Sequence, residues 1–167
     1  MTDVDTGIAV LRAAVGATMI AHGWNHLFGG GGVSGTANWF ASMGLRPPRI
    51  HALLSGAGEL AAGAMMLVGL FTSLSAAFVV GSMTVAGVIA HRKNGFFVFK
   101  DGYEYVLVLA VVAAFIGFAG PGRFSADHAI GLAEAWQGTT GAAIAGSGVL
   151  GAAVLLAACW RPGTQAA

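Results

Sequence analysis

The chain has 167 residues, 56% of them hydrophobic and 9% charged, with 27 glycines and a mean hydropathy of +0.77. A soluble domain carries about a quarter charged residues to solvate its surface, so this composition points to lipid as the solvent. A net charge of +1 without any basic cluster argues against nucleic acid as a partner, and a single cysteine, Cys159, excludes an internal disulfide, a CxxC redox pair and a cysteine zinc site.

A helix needs about 20 apolar residues to cross the hydrocarbon core. The first stretch of that kind is residues 8–28; its leader Met-Thr-Asp-Val-Asp is acidic, so it reads as a retained helix and not a secretory signal. Residues 36–43 carry Trp39, Phe40 and Met43 at helical spacing between glycines and Pro47-Pro48, which predicts a short helix in the headgroup layer. Residues 50–71 and 73–91 meet at Thr72 and Ser73 and so form a tight helical hairpin. Residues 103–119 make the fourth span. Residues 123–137 mix Asp127, His128 and Glu134 with Phe124, Ile130 and Leu132, an interfacial amphipathic segment, and residues 140–160 form an additional C-terminal transmembrane helix.

The expected fold is an all-α integral membrane protein, with a four-helix transmembrane bundle within residues 1–128 and a fifth helix after it. Gly58 with Ala62, Ala77 with Gly81, Ser82 with Ala86 and Gly148 with Ala152 set small residues four apart, which lets helix backbones approach closely; such strips also serve homo-oligomers. With alternate crossings Arg46, Arg49, Arg92, Lys93, Lys100 and Arg161 fall on one side, and Arg12 and Arg123 toward the other. The positive-inside rule then places the N-terminus outside and the C-terminus in the cytoplasm.

Ionisable groups inside spans are costly and face the bundle interior or a wet cavity. At a rise of about 1.5 Å per residue, His22 lies about 6 Å, His26 about 12 Å and Glu59 about 3 Å from mid-span toward the cytoplasmic side. By the same rise His51 lies about 15 Å, His91 about 13 Å and Glu104 about 10 Å toward that side, with Arg12 about 9 Å toward the other. Gly56, Glu59 and Gly63 form one narrow stripe, so Glu59 sits where another backbone can come close and points inward. A desolvated carboxyl in that position can hold and release a proton. In the plainer reading Glu59 bridges helices, through Arg12 or His22; His51 and His91 are interfacial, His128 is surface, and Trp24, Trp39, Trp136, Tyr103 and Tyr105 belong to the aromatic belts.

Three chemistries use such groups. A quinone headgroup needs donors for two carbonyl oxygens, a carboxylate for protons and an opening to lipid, which His22, His26, Glu59, His91 and Glu104 would supply. A b-type haem needs two axial histidines at matched depth, as His26 with His51 or His91. A metal could use the i, i+4 pair His22 and His26 with Glu59 or Glu104, although the Glu-x-x-His pairs of di-iron bundles are lacking. The glycine run 29–32 has no following Lys-Ser/Thr, so it is a turn and not a phosphate loop.

The ordered blocks add a resemblance. His22-Gly23-Trp24-Asn25-His26-Leu27-Phe28 resembles the His-Gly-Trp-x-x-Leu signature of DoxX proteins, and Glu59 followed by Gly69-Leu70-Phe71-Thr72 is similar to their next block. His91 before Asn94-Gly95-Phe96-Phe97, then Glu104, resembles the third block, and the segment from Gly120-Pro121-Gly122 to Asp127 resembles the closing motif. The blocks cover about residues 7–128. His26 stands where family members often have lysine or another basic residue, and the Gly/Ala-rich fifth span lies beyond the common core. The resemblance implies a DoxX-type four-helix core and a link to respiratory or sulfur redox chemistry, some members being named as subunits of quinol oxidases or thiosulfate:quinone oxidoreductases. The resulting expectation is a bacterial plasma-membrane redox accessory subunit that binds a quinone near the cytoplasmic leaflet and couples to a partner oxidoreductase or larger complex. His22 would bond one carbonyl, Glu59 would relay a proton, and His91 with Glu104 would form the polar exit. The alternative is a scaffold or assembly subunit in which the polar cluster only fixes helix packing.

Overall fold

The structure, a computed structural model, describes residues 2–162. Its helices are α1 (Thr2–Phe28), α2 (Gly32–Ser42), α3 (Pro48–Val68), α4 (Thr72–Ala86), α5 (Glu104–Ala119), α6 (Ala126–Ala129) and α7 (Gly138–Cys159). Among the described residues four helical stretches are long and apolar enough to cross a membrane: Asp3–Phe28, Pro48–Val68, Thr72–Asn94 and Gly138–Cys159. The third of these runs from α4 through a π turn, Gly87–His91, into the 3-10 turn Arg92–Asn94. The apolar α5, at 16 residues, is shorter. The chain is an all-helical, multi-pass membrane bundle.

Local sequence sets the helix ends. Pro48 begins α3, where its missing N–H costs nothing, and Gly69 ends it at φ 70, so that its N–H and the next turn back onto the Met65 and Met66 carbonyls. α4 begins immediately after, and its first N–H groups are taken by a distant carboxylate. Asp127 accepts from Phe71 N–H at 2.7 Å and Thr72 N–H at 2.9 Å, while its own N–H donates to Gly69 O at 2.8 Å. The 123–137 segment is thus more than an amphipathic face on the headgroup layer, because Asp127 is buried and closes the α3–α4 turn. Buried Arg12 donates from Nη2 to Phe124 O on the same segment and interacts electrostatically with Asp127.

Packing follows the small residues. A methyl at Gly16 would lie 2.7 Å from Gly63 O, one at Gly63 would lie 2.7 Å from Gly16 O, and one at Gly23 would lie 2.6 Å from Gly56 O. Both glycine pairs belong to one antiparallel register, and α1 and α3 touch backbone to backbone along it. α4 packs on α3, α5 and α7, with Val79, Val80 and Met83 joining Val15, Met19, Met66, Leu109 and Ile116 in the main core. The Ala77 and Gly81 strip meets Gly148 of α7, and Gly58 is covered by Phe78, so these strips are occupied within the chain.

The two ends of the bundle differ in charge. Arg46 N–H donates to Cys159 O, Trp160 Nε1 donates to Met43 O, and the Arg92 guanidinium lies 5.8 Å from the Trp160 ring centre, which gathers Arg46, Arg49, Arg92 and Arg161 at one end. At the opposite end Arg123 N–H donates to Asp5 and Ser73 donates to Trp136 O. We call these the basic end and the Asp127 end.

Candidate functional site

The register of α1 on α3 decides which polar side chains meet. Gly23 sits on the contact line, and at about 100° per residue His26 lies about 60° from it and His22 about 100°. His26 therefore reaches over α3 while His22 falls outside the interface. His26 Nδ1 donates to Ser55 Oγ at 3.1 Å, and Ser55 donates onward to Glu59 Oε1 at 3.0 Å. Ser82, on α4, donates to the same Oε1 at 3.2 Å. The four side chains join α1, α3 and α4 in a directed chain that ends on one carboxylate oxygen.

The second oxygen is different. Glu59 is 3% exposed, and its Oε2 makes no hydrogen bond, although it lies 3.1 Å from His26 Nδ1. That nitrogen points its proton at Ser55, so the Oε2 contact is close but not aligned. A buried carboxylate oxygen without a donor is a costly arrangement, and such groups occur where a ligand, water or proton completes them.

Glu59 also lines a cavity of about 450 Å³, within the range of about 300–1,000 Å³ that suits small-molecule ligands. Gly81 and Ser82 of α4 form its floor, Leu54 and Glu59 of α3 one wall, and Gly151 and Leu155 of α7 the other. Trp39 of α2 also lines it. Gly151 of α7 helps leave this space, since a methyl there meets nothing within 4 Å, whereas Gly81 and Gly148 bring the α4 and α7 backbones together beside it. Apart from His51, Ser55, Glu59 and Ser82 the lining is apolar, so these side chains are the polar feature of an otherwise hydrocarbon-like slot.

Of the five candidate residues, the structure brings His26 and Glu59 together. His22 stacks on Tyr105 of α5, centroids 6.1 Å apart, with Nε2 3.4 Å from the phenol oxygen. His91 donates from Nδ1 to Asp101 O at 2.9 Å, and Glu104 accepts from Val98 N–H at 2.9 Å, so both secure the loop between α4 and α5. His51 lines the cavity, but its Nε2–H donates to Arg46 O at 3.1 Å. Glu59 does bridge helices, through His26 and Ser82; Arg12 lies at the Asp127 end and His22 on the α5 side. Among the described residues no group of three or more His, Cys, Asp or Glu side chains is arranged to hold a metal ion, since His22 and His26 turn to different neighbours.

Two members of the network carry readable signals. Ser55 precedes Glu59 by one turn, and Ser82 is as far after the α3–α4 turn as Glu59 is before it, so an antiparallel hairpin sets them at one depth. Trp39, expected as a belt residue, and Phe40, expected in the headgroup-layer helix, help line the cavity, and Phe40 meets the His26 ring edge-on at 5.9 Å.

The DoxX family profile matches residues 7–92, just over half of the chain, and this span contains His26, Ser55, Glu59 and Ser82. No curated protein and no solved structure matches the chain. The family match and the helical membrane architecture agree, and the chain belongs to the DoxX family.

Proposed function

We propose that this DoxX protein is a membrane redox accessory subunit that binds a quinone in the cavity between α3, α4 and α7. The observation that carries the reading is Glu59, a buried carboxylate with one undonated oxygen on the wall of an apolar cavity. A quinone supplies two-electron, two-proton redox chemistry when bound; the apolar lining suits its ring and tail. Ser82 and Ser55 hold Glu59 Oε1 fixed, so that Oε2 is the atom that gives or takes a proton. His26 stands beside it, with Nδ1 3.1 Å from Oε2. His22, stacked on Tyr105, takes no part in this site, and neither do His91 and Glu104.

The same reading places the basic end in the cytoplasm of a bacterial plasma membrane, by the excess of Arg and Lys there. It assigns electron exchange with the bound quinone to a partner redox protein. A scaffold role is favoured by one observation, that Glu59 ties three helices together. The two readings separate in one experiment. Protein purified in mild detergent is extracted and its quinone content compared with bulk membrane lipid, for the parent, Glu59→Gln and Gly151→Phe. A methyl at Gly151 meets nothing within 4 Å, so the added ring can enter the cavity without moving the backbone. Quinone enriched in the parent and reduced in both variants supports the proposal. Quinone at the bulk ratio in all three leaves the scaffold reading.

A further inference from the structure

A second cavity, of about 290 Å³, lies on the other side of α4, between the π turn and α5. Gly87 and Val88 of the π turn and Val106, Leu107 and Ala110 of α5 line its apolar length. Arg92 and Tyr103 stand at its basic end. From Ala110 to Tyr103 it extends along about two turns of helix, roughly 10 Å. Gly87 keeps it open, since a methyl there would already be in contact with Val106 Cγ2 at 3.5 Å.

The surroundings of the mouth identify an occupant. Arg92, Lys93 and Lys100 all belong to the connection between α4 and α5, and among the described residues none of them forms an ion pair. The acids of this region are engaged elsewhere: Asp101 holds His91 and Asn94, and Glu104 holds Val98 N–H. The Arg92 guanidinium is placed by its stacking over Trp160. Beside the cations Phe96, Phe97 and Phe99 are exposed, Phe99 at 76%, and Phe97 stacks on Phe99 with centroids 5.2 Å apart. Exposed aromatic rings in the same connection as cations without an ion-pair partner mark the depth at which lipid headgroups meet acyl chains. The groove thus has its cation at headgroup level and its apolar length directed into the hydrocarbon.

We infer that this groove holds one acyl chain of an anionic phospholipid, with the lipid phosphate against Arg92 and Lys93 or Lys100 beside it. Zwitterionic lipid has the same chain but its ammonium offsets the phosphate, so the three cations favour the anionic headgroup. The site is separate from the Glu59 cavity and does not depend on what that cavity binds.

The test is native mass spectrometry of the delipidated full chain titrated with phosphatidylglycerol and, separately, with phosphatidylcholine of the same chains. A surface cation favours anionic lipid enough to give about a fivefold preference in retention. Arg92→Gln is expected to abolish the preference, and Gly87→Leu, which fills the groove from its floor, is expected to reduce retention of both lipids. A Lys93→Gln variant with intact Trp160 stacking is expected to reduce the preference partly. Equal retention of the two lipids by the parent, a preference that survives Arg92→Gln, or retention of both lipids unchanged in Gly87→Leu overturns the inference. Both variants must run as the same monodisperse species as the parent, and if Arg92→Gln does not, Gly87→Leu and Lys93→Gln decide the matter.

Discussion

Asp127→Ala should unfasten the end of the bundle opposite the Glu59 site. Asp127 is 2% exposed and accepts two hydrogen bonds, at 2.7 and 2.9 Å, from the first N–H groups of α4. A hydrogen bond to a charged group contributes about 1.5–3 kcal/mol, so losing both costs at least about 3 kcal/mol. The loss also leaves Arg12, 2% exposed, with its bond to Phe124 O and without a facing charge. For a chain of this length that destabilisation lowers the unfolding midpoint by roughly 10 °C. Asp127→Asn keeps an acceptor for one N–H and should fall between the parent and Asp127→Ala. The assay is thermal unfolding in a mild detergent, followed by loss of the monodisperse species. Adding Arg12→Leu to Asp127→Ala removes the isolated cation, so the double variant should be more stable than the sum of the single losses by about 0.5–3 kcal/mol. A midpoint for Asp127→Ala within about 2 °C of the parent, or strict additivity of the double variant, would refute the reasoning.

Other variants probe other contacts. Glu59→Gln retains an acceptor for Ser55 and Ser82 and should cost under about 1 kcal/mol, whereas Glu59→Ala orphans two hydroxyls and should cost about 2–4 kcal/mol, both read by the same unfolding assay. Gly63→Leu forces side-chain atoms into a space where a methyl already lies 2.7 Å from Gly16 O, and should cost about 1–3 kcal/mol or more, while Gly151→Leu, placed in open space, should be near neutral. Tyr105→Phe removes a long 3.4 Å contact to His22 together with a side-chain hydrogen bond to Thr18, and should cost about 0.5–1.5 kcal/mol while leaving quinone content as in the parent. Lys100→Cys in a Cys159→Ser background should react with an impermeant maleimide only in inverted vesicles; labelling in intact cells would reverse the orientation.

The helices were readable because lipid imposes a simple rule on sequence: every span must be apolar over a set length, and loops must be polar or glycine-rich. The depth of each ionisable group was readable for the same reason, since helix rise is constant. Direction around the helix axis was not. His22 and His26 differ by only about 40° in azimuth, yet the α1–α3 contact line passes so that one enters the network and the other meets Tyr105. That line is fixed by the glycine pairs Gly16 with Gly63 and Gly23 with Gly56, a tertiary register that spacing within one helix does not contain. Glu59 was legible from its own stripe of Gly56 and Gly63. Ser82 belonged to a different helix and became visible only through the symmetry of the hairpin. His91 and Glu104 were drawn off by a loop whose hydrogen bonds depend on its turn geometry, in which Asp101 takes φ 60.

The most direct measurement of the central claim is photo-crosslinking of the full chain in membranes with an azido-quinone, followed by peptide mapping. The account predicts adducts on the cavity walls, within residues 54–59, 77–90 and 148–155, that are competed by unmodified quinone and lost in Gly151→Phe. Adducts confined to the lipid-facing surfaces outside that cavity, or adducts unchanged by competitor and by Gly151→Phe, would contradict it.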